Sequence, residues 1–369
     1  MSIKLNSLRC EMKKALGWHW SRINCMVLTM AALIKVRTVN LSELAIVLSS
    51  SATTSSNYKR LQRFMRHHEI DFDAFGYFLS RLFPRCDGQW LLAMDRTNWK
   101  IGRKDINILM LGVAFNGVAF PLIWMPLPKR GNSNTTERIQ LMSRFITIFG
   151  VERIQSLTAD REFIGMNWFR WLISQNIPYA SRIKENFCVT SKKGNKVKVK
   201  ELFKGLKKGE TRIIRKKRKL CGVSHYIVGV KINSKEYLIL VTNKRPAEAL
   251  EDYRQRWSIE TLFGCLKIRG FNFEDTHITE PSRIMNLVAL LAITFIWCHL
   301  AGEWKADAEP IPLKSHGRKA TSIFRYGLDA LRKIFLNADQ ILDSYRLKFI
   351  EMISIVTHRL QSTSLQAFT

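Results

Sequence analysis

The stretch YRQRWSIETLFGCLK, residues 253–267, puts a phenol, a guanidinium, a carboxylate and an ammonium (Tyr253, Arg256, Glu260, Lys267) into one segment that reads as a helix. At about 100° per residue these four fall within an arc of about 60°. Ile259, Leu262 and Leu266 form an adjacent apolar stripe that can dock such a helix on a sheet. The polar four then occupy the edge between core and solvent, where a substrate can reach them. Two more carboxylates stand where apolar strands run out, Asp95 after LLAM and Asp160 after SLTA. A carboxylate there is costly to bury without a partner. If the two strands are neighbours, Asp95, Asp160 and Glu260 share one site.

Three carboxylates brought together repel and raise one another's pKa unless cations neutralise them. Hard cations with oxygen ligands, Mg²⁺ or Mn²⁺, suit such a set. Two ions about 3.5–4 Å apart activate a water or a 3′-hydroxyl and stabilise the leaving oxygen of an in-line phosphodiester displacement. Arg256 and Lys267 would hold phosphates, and Tyr253 would hydrogen bond or stack near the cleaved end. A plainer reading pairs each aspartate with the arginine that follows it, Asp95 with Arg96 and Asp160 with Arg161. It also makes Arg256 and Glu260 an ordinary i, i+4 helix pair. That reading leaves Tyr253 and Lys267 on the same line unexplained. Glu162, two residues after Asp160, is expected on the following helix, turned away or capping, and Trp99 is expected in sheet packing.

Strand and helix signals around these residues supply the scaffold. QWLLAMDRT, INILMLGVAF and VAFPLIWMPL read as three consecutive strands, the last two joined by an FNGV hairpin turn. A helix to about Phe149 follows, with Asn134 or Thr135 as its N-cap. Next come a strand IQSLTAD, a helix EFIGMNWFRWLISQN and a strand IPYASRI. The order βββαβαβ predicts an α/β fold, a mixed sheet with flanking helices. Residues 188–245 break this rhythm with short β runs and form a β-rich insertion. Its stretch 191–219 holds fourteen Lys or Arg against two Glu. Basic residues alternating with Val and Ile predict one basic and one apolar face there, with Lys216, Lys217 and Arg218 facing nucleic acid.

Residues 1–87 read as helical, with Asn40 and Glu43 placed for a capping box. A short helix from Leu41, a polar turn and a helix carrying Lys59, Arg60, Arg63 and Arg66 predict a helix-turn-helix that enters a DNA groove. Helical texture returns over 246–305, with Pro246 near the first turn and Gly270 as a stop, and continues over 306–369. The predicted domains are thus 1–87, a core split into 88–187 and 246–305, the insertion 188–245, and a C-terminal helical region.

The chain's 369 residues include 59 Lys or Arg against 30 Asp or Glu, a formal net charge of +29. That excess points to a polyanion as partner, since neutralising phosphates releases counterions. A membrane surface is the competing polyanion. The longest apolar run, LVALLAITFIWC, falls short of the roughly 20 residues a bilayer needs and reads as a buried core helix. The chain opens without a charged-then-apolar signal peptide, which places the protein in the cytoplasm with no membrane partner. Seven cysteines, odd in number and never spaced CxxC, predict reduced thiols rather than a zinc or disulfide framework.

On Tyr253, Arg256, Glu260 and Lys267, with gaps of two, three and six residues, and on AMDRTNWK and LTADREF, the chain resembles DDE transposases of bacterial insertion sequences. Within these it looks like the IS-four family, marked by its YREK signature. The resemblance implies an RNase H-like core and cut-and-paste transposition in the bacterial cytoplasm at the nucleoid. Asp95, Asp160 and Glu260 would bind two Mg²⁺, with Mn²⁺ as the substitute. Water nicks one strand at the element end, and the freed 3′-hydroxyl attacks the opposite strand to give a hairpin. The hairpin is reopened and the 3′-hydroxyl joins target DNA. The implied partners are double-stranded DNA, as terminal inverted repeats and as target, and a second copy of the chain in a synaptic complex. Arg256 and Tyr253 would act on the phosphate and flipped base near the hairpin, and Lys267 on the element-end backbone. One feature departs from the family pattern: no Trp lies between Trp171 and Trp257 to stack on a flipped base. Tyr226, Tyr237 and Trp257 are the candidates for that place. The competing readings are a non-catalytic DNA-binding regulator and a structure-specific nuclease on the same core.

Overall fold

β-Branched and aromatic residues dominate 90–126, and the chain there forms β1 (Trp90–Ile101), β2 (Lys104–Phe115) and β3 (Val118–Pro126). The computed structural model describes residues 5–48, 50–84, 87–190, 194–337, 351, 353–354 and 356–359. Asn116 and Gly117 turn β2 into β3 with φ of 48° and 81°, the left-handed pair that a tight hairpin demands. Ile106–Val113 of β2 are buried without alternation, so both faces of the sheet are covered there.

α6 (Thr135–Phe149) and α7 (Met166–Ser174) carry the chain into β4 (Ile154–Ala159) and β5 (Tyr179–Ile183). A full capping box opens α6: the Glu137 N–H donates to Asn134, and the Glu137 carboxylate accepts from the Asn134 N–H. β4 pairs in parallel with both β1 and β5. This is the mixed, helix-flanked α/β sheet expected of an RNase H-like core.

β6 (Cys188–Thr190) and β7 (Lys196–Lys198) form a small ladder of their own. The longer strands of the insertion, β8 (Thr211–Leu220), β9 (Val223–Lys231) and β10 (Tyr237–Thr242), extend the central sheet to the order β3-β2-β1-β4-β5-β10-β9-β8. β10 lies antiparallel on β5, with Ile239 opposite Ile183. Its apolar residues cover an edge that β5 would otherwise leave unpaired. The clean two-faced alternation expected of the basic strands is not what forms. A bulge between Ile214 and Arg218 shifts the register of β8, and Ile213 is left exposed.

The chain divides into two compact units that do not follow chain order. The first comprises Met1–Cys86, Trp99–Ile106 and Phe263–Thr369; the second comprises Asp87–Asn98 and Asn107–Leu262. In the first unit, α1 (Asn6–Leu16), α2 (Trp20–Val36), α3 (Leu41–Val47), α4 (Thr54–His67) and α5 (Phe72–Ser80) are followed, late in the chain, by α10 (Pro281–Ala308) and α11 (Ile323–Leu336). Asn40 caps α3 by accepting from the Ser42 N–H, in place of the expected box with Glu43. α10 runs well beyond the apolar run read from sequence. Among the described residues it is the one single helix long and apolar enough to cross a membrane, and that apolar window is wholly buried inside the protein. The C-terminal helices expected beyond residue 337 fall largely outside the described residues.

Candidate active site

Met94 and Ala159 form the last printed rung of the parallel β1–β4 ladder, and Asp95 and Asp160 follow them directly. The neighbouring strands that a shared site requires are therefore present. Asp95 does not end its strand, because β1 continues to Ile101; it stands where the pairing with β4 stops. Its side chain is 17% exposed. Burial pushes the Asp95 carboxyl up to about 6, helped by Glu162 and Asp160 and opposed by the Arg96 backbone N–H and by Arg256. The Arg96 N–H donates to Asp95 Oδ1 at 2.8 Å.

The segment that sequence alone reads as one helix is two. α8 (Ala249–Arg254) ends, the chain tightens through i→i−3 bonds such as Arg256 N–H to Tyr253 O, and α9 (Trp257–Leu266) begins. The single-helix wheel thus fails between Tyr253 and Glu260, yet Tyr253, Arg256 and Glu260 still meet the two aspartates. Tyr253 is buried among Ala180, Val228, Leu240 and Ala249, and its hydroxyl donates to Asp160 Oδ1 at 3.2 Å. Burial raises the Tyr253 phenol to about 12, so it remains a donor over the ordinary pH range. Arg256 is buried in the turn between the helices. One guanidinium nitrogen lies 3.4 Å from Asp95 Oδ2 and the other 2.6 Å from Glu260 Oε1. Its plane also lies 5.6 Å from the Tyr253 ring centre. Ile259, Leu262 and Leu266 are buried as the apolar stripe predicts.

The donor chemistry of Asp95 and Asp160 fits a hard divalent cation. Their carboxylates stand on adjacent strands, and a half-neutralised buried Asp95 gains from a nearby positive charge. Glu260 does not join them in this arrangement. Among the described residues no group of three or more His, Cys, Asp or Glu is set to hold a metal ion. The expected triad of Asp95, Asp160 and Glu260 is therefore corrected to a pair of aspartates with Glu260 held apart. The physical reason is Arg256, which bridges Asp95 and Glu260 and supplies the positive charge both need.

Sequence reasoning missed what Arg96 does. It is not the ion-pair partner of Asp95; its guanidinium forks onto Glu162 at 3.0–3.2 Å and also donates to Asn107 and Asn132, each at 3.1 Å. Glu162 lies in the turn before α7 rather than on a helix, and its backbone oxygen accepts from Arg138 at 2.9 Å. A planar five-donor side chain with four oxygens around it pins the turn after Asp160 to the strand carrying Asp95. The legible signal was the spacing itself, an arginine after the first aspartate and a glutamate two residues after the second.

Trp257 is 64% exposed at the start of α9. Tyr226 and Tyr237 lie under lysine ammonium groups, Lys217 at 4.8 Å and Lys231 at 3.8 Å. On β8, Lys216 and Lys217 are exposed, while Arg218 is half-buried and folds back onto the carbonyls of Lys216 and Lys217. Lys267 belongs to the first unit, where it pairs with Glu274 at 2.7 Å and lies over the Trp99 ring. Trp99 is buried against Phe273, as packing predicts. On α4, Lys59 and Arg63 are exposed and Arg60 is half-buried.

A family model described as "Transposase DDE domain" matches residues 83–297, an interval that includes Asp95, Asp160, Tyr253, Arg256, Glu260 and Lys267. Among solved structures, the cryo-EM structure of a piggyBac transposase synaptic complex with hairpin DNA is similar, with a TM-score of 0.47 and 14% identity. The likeness covers 91% of this chain and 76% of that one. No curated protein sequence matches the chain.

Proposed function

The chain belongs to the transposase DDE domain family, and from that premise we propose that it is the cut-and-paste transposase of a bacterial insertion sequence with an IS-four YREK signature. The observation that carries the reading is the convergence of Tyr253, Arg256 and Glu260 on the two adjacent aspartates.

In this reading Asp95 and Asp160 hold divalent cations, Mg²⁺ or Mn²⁺, and Glu260 completes the set once Arg256 turns to a DNA phosphate. Bound there, two such ions supply an activated water or 3′-hydroxyl and stabilise the leaving oxygen. Arg256 is suited to that exchange because its fork matches a phosphate as well as a carboxylate. Tyr253 orients Asp160 through its hydroxyl, and its buried ring leaves base stacking to the exposed Trp257. Arg96 and Glu162 fix the two aspartate-bearing segments against each other. The first strand is cut by water, the freed 3′-hydroxyl forms and later leaves a hairpin, and the same hydroxyl joins target DNA. Lys267, and Lys216 and Lys217 on β8, serve as backbone contacts. Two copies of the chain bring two terminal inverted repeats together in the bacterial cytoplasm.

The test is cleavage of DNA carrying the inverted repeats that flank the gene. Wild-type protein with Mg²⁺ or Mn²⁺ is expected to nick at the repeat ends, and Glu260→Ala to bind the same ends without nicking. Undiminished metal-dependent cleavage by Glu260→Ala sinks the assignment. End binding without any cleavage by the wild type favours a DNA-binding regulator. Cleavage of branched DNA with no preference for the repeats favours a structure-specific nuclease.

A further inference from the structure

We propose that a basic cavity in the first unit, apart from the carboxylate site, grips the phosphodiester backbone of duplex DNA. The proposal rests on the transposase reading only in taking DNA as the polyanion. The cavity has a volume of about 850 Å³ and is lined by Lys59, Arg63 and Arg66 from α4, by Lys104 at the start of β2, and by Glu280 and Arg283 at the start of α10. Five cations thus face one carboxylate, and that carboxylate is already engaged by Arg283 at 2.8 Å and by the Ser282 hydroxyl at 3.2 Å. Among the described residues, Lys59, Arg63, Arg66 and Lys104 have no acidic partner. Like charges gathered in a concavity repel one another and concentrate a positive field there, which a polyanion relieves.

Geometry narrows the ligand. Lys59, Arg63 and Arg66 stand at i, i+4 and i+7, one stripe of the helix. The stripe is about 10 Å long, the length of about three base-pair steps of a duplex. The cavity walls are tied together. The Asn286 amide on α10 donates to Met65 O at 3.1 Å and to His68 O at 2.8 Å, and Thr38 donates to Asp275 at 2.6 Å. The first turn of α10 adds unsatisfied N–H groups and the positive end of a 28-residue helix. A lipid surface is the weaker candidate, because a helix lying on a membrane exposes apolar residues. The exposed residues of α4 are Thr54, Ser55, Ser56, Lys59, Gln62, Arg63, Arg66 and His67, none of them apolar. Arg60 does not line the cavity, so the three cations grouped from sequence as Lys59, Arg60 and Arg63 separate into two that grip and one that does not.

The experiment uses the full chain, a labelled duplex of arbitrary sequence, and affinity measured across a salt series. Each of Lys59→Ala, Arg63→Ala, Arg66→Ala and Lys104→Ala should lower the slope of log affinity against log salt by about 0.9. Arg60→Ala, and Lys314→Ala on an exposed loop, should leave the slope unchanged. Glu280→Gln should act with the opposite sign and tighten binding. Because the altered side chains are exposed, melting curves should superimpose on wild type, which separates lost contacts from lost fold. Unchanged slopes for Lys104→Ala and Arg66→Ala overturn the cavity while leaving the transposase reading standing. Equal loss for every cation, Lys314 included, overturns it in favour of a diffuse charge effect. Failure of the wild-type chain to bind any duplex removes both readings. Tight binding to anionic phosphatidylserine vesicles that these variants abolish, with DNA affinity intact, replaces DNA with a lipid surface.

Discussion

The carboxylate site and the basic cavity treat charge in opposite ways. At the site every buried charge has an answer: Asp160 accepts from Tyr253, Arg256 bridges Asp95 and Glu260, and Arg96 forks onto Glu162. In the cavity, Lys59, Arg63, Arg66 and Lys104 stand in solvent without acidic partners. Burial explains the contrast. A charge removed from water must be matched within the fold, whereas an exposed cation is stable alone and remains available to a ligand. Balanced charges therefore mark where a reaction is prepared, and unmatched ones mark where a polyanion is held.

The largest expected effect tests the first half of that contrast. Asp95→Asn and Glu260→Ala should each slow strand cleavage at least about a thousandfold, the scale on which loss of a charge-stabilising group is felt. Their affinity for duplex DNA should stay near that of wild type. If either variant loses DNA binding as severely as cleavage, the separation of chemistry from grip is wrong. Single-turnover cleavage at saturating protein, beside an equilibrium binding curve, reads the two quantities apart.

A smaller effect follows from the raised pKa of Asp95, and here the sign matters. Its folded value of about 6 lies above the model value of 3.8. The folded state therefore holds more protons than the unfolded state between these values, and stability falls as pH rises through the window. The shift of about two units corresponds to about 3 kcal/mol above pH 6. Asp95→Asn removes this cost, so it should raise the melting temperature at pH 8 and leave it nearly unchanged at pH 3. Added Mg²⁺ should raise the wild-type melting temperature at pH 8 far more than that of the variant. A variant less stable than wild type at pH 8 would show that Arg256, left without Asp95, outweighs the relieved burial.

Sequence and structure part company at specific places. The strands carrying Asp95 and Asp160 were legible because apolar runs of strand length end in a carboxylate, and the parallel rung at Met94 and Ala159 places them side by side. The hairpin at Asn116 and Gly117 and the cap at Asn134 were legible because local chemistry alone dictates them. What could not be read is what long-range contacts decide. The break after Arg254 carries no proline or glycine, so a continuous wheel was the natural reading; Tyr253 is instead held by strands distant in sequence. The fork from Arg96 to Glu162 links residues that only the β1–β4 pairing brings together. Lys104, Arg283 and α4 likewise meet through the packing of α10 on α4, which no local pattern announces.

Trp257 sharpens the comparison at the next scale down. It is 64% exposed beside a site whose other members are buried or paired. Trp257→Ala should leave the melting temperature unchanged. It should weaken binding to an element end with an unpaired or hairpin terminus by about 1–3 kcal/mol, the range of one base–aromatic stack. Trp257→Phe should recover most of that loss. An equal loss on blunt, fully paired duplex would argue against stacking and for a nonspecific contact.

The smallest expected effect lies on β8, where the same distinction between engaged and free cations falls within three consecutive residues. Lys216 and Lys217 are exposed, and Lys217 leaves its charge over the Tyr226 ring. Arg218 is half-buried, with one guanidinium nitrogen 3.3 Å from Lys217 O and 3.5 Å from Lys216 O. Although the sequence presents all three as one basic run, the bulge in β8 turns Arg218 back on its own backbone. Lys216→Ala and Lys217→Ala should each lower the salt slope of duplex binding by up to about 0.9, whereas Arg218→Ala should change it by much less. A loss at Arg218 equal to that at Lys216 would mean that the guanidinium swings out to DNA. The rule that separates the site from the cavity, that a charge already answered inside the fold is not the one that meets the ligand, would then fail on this strand.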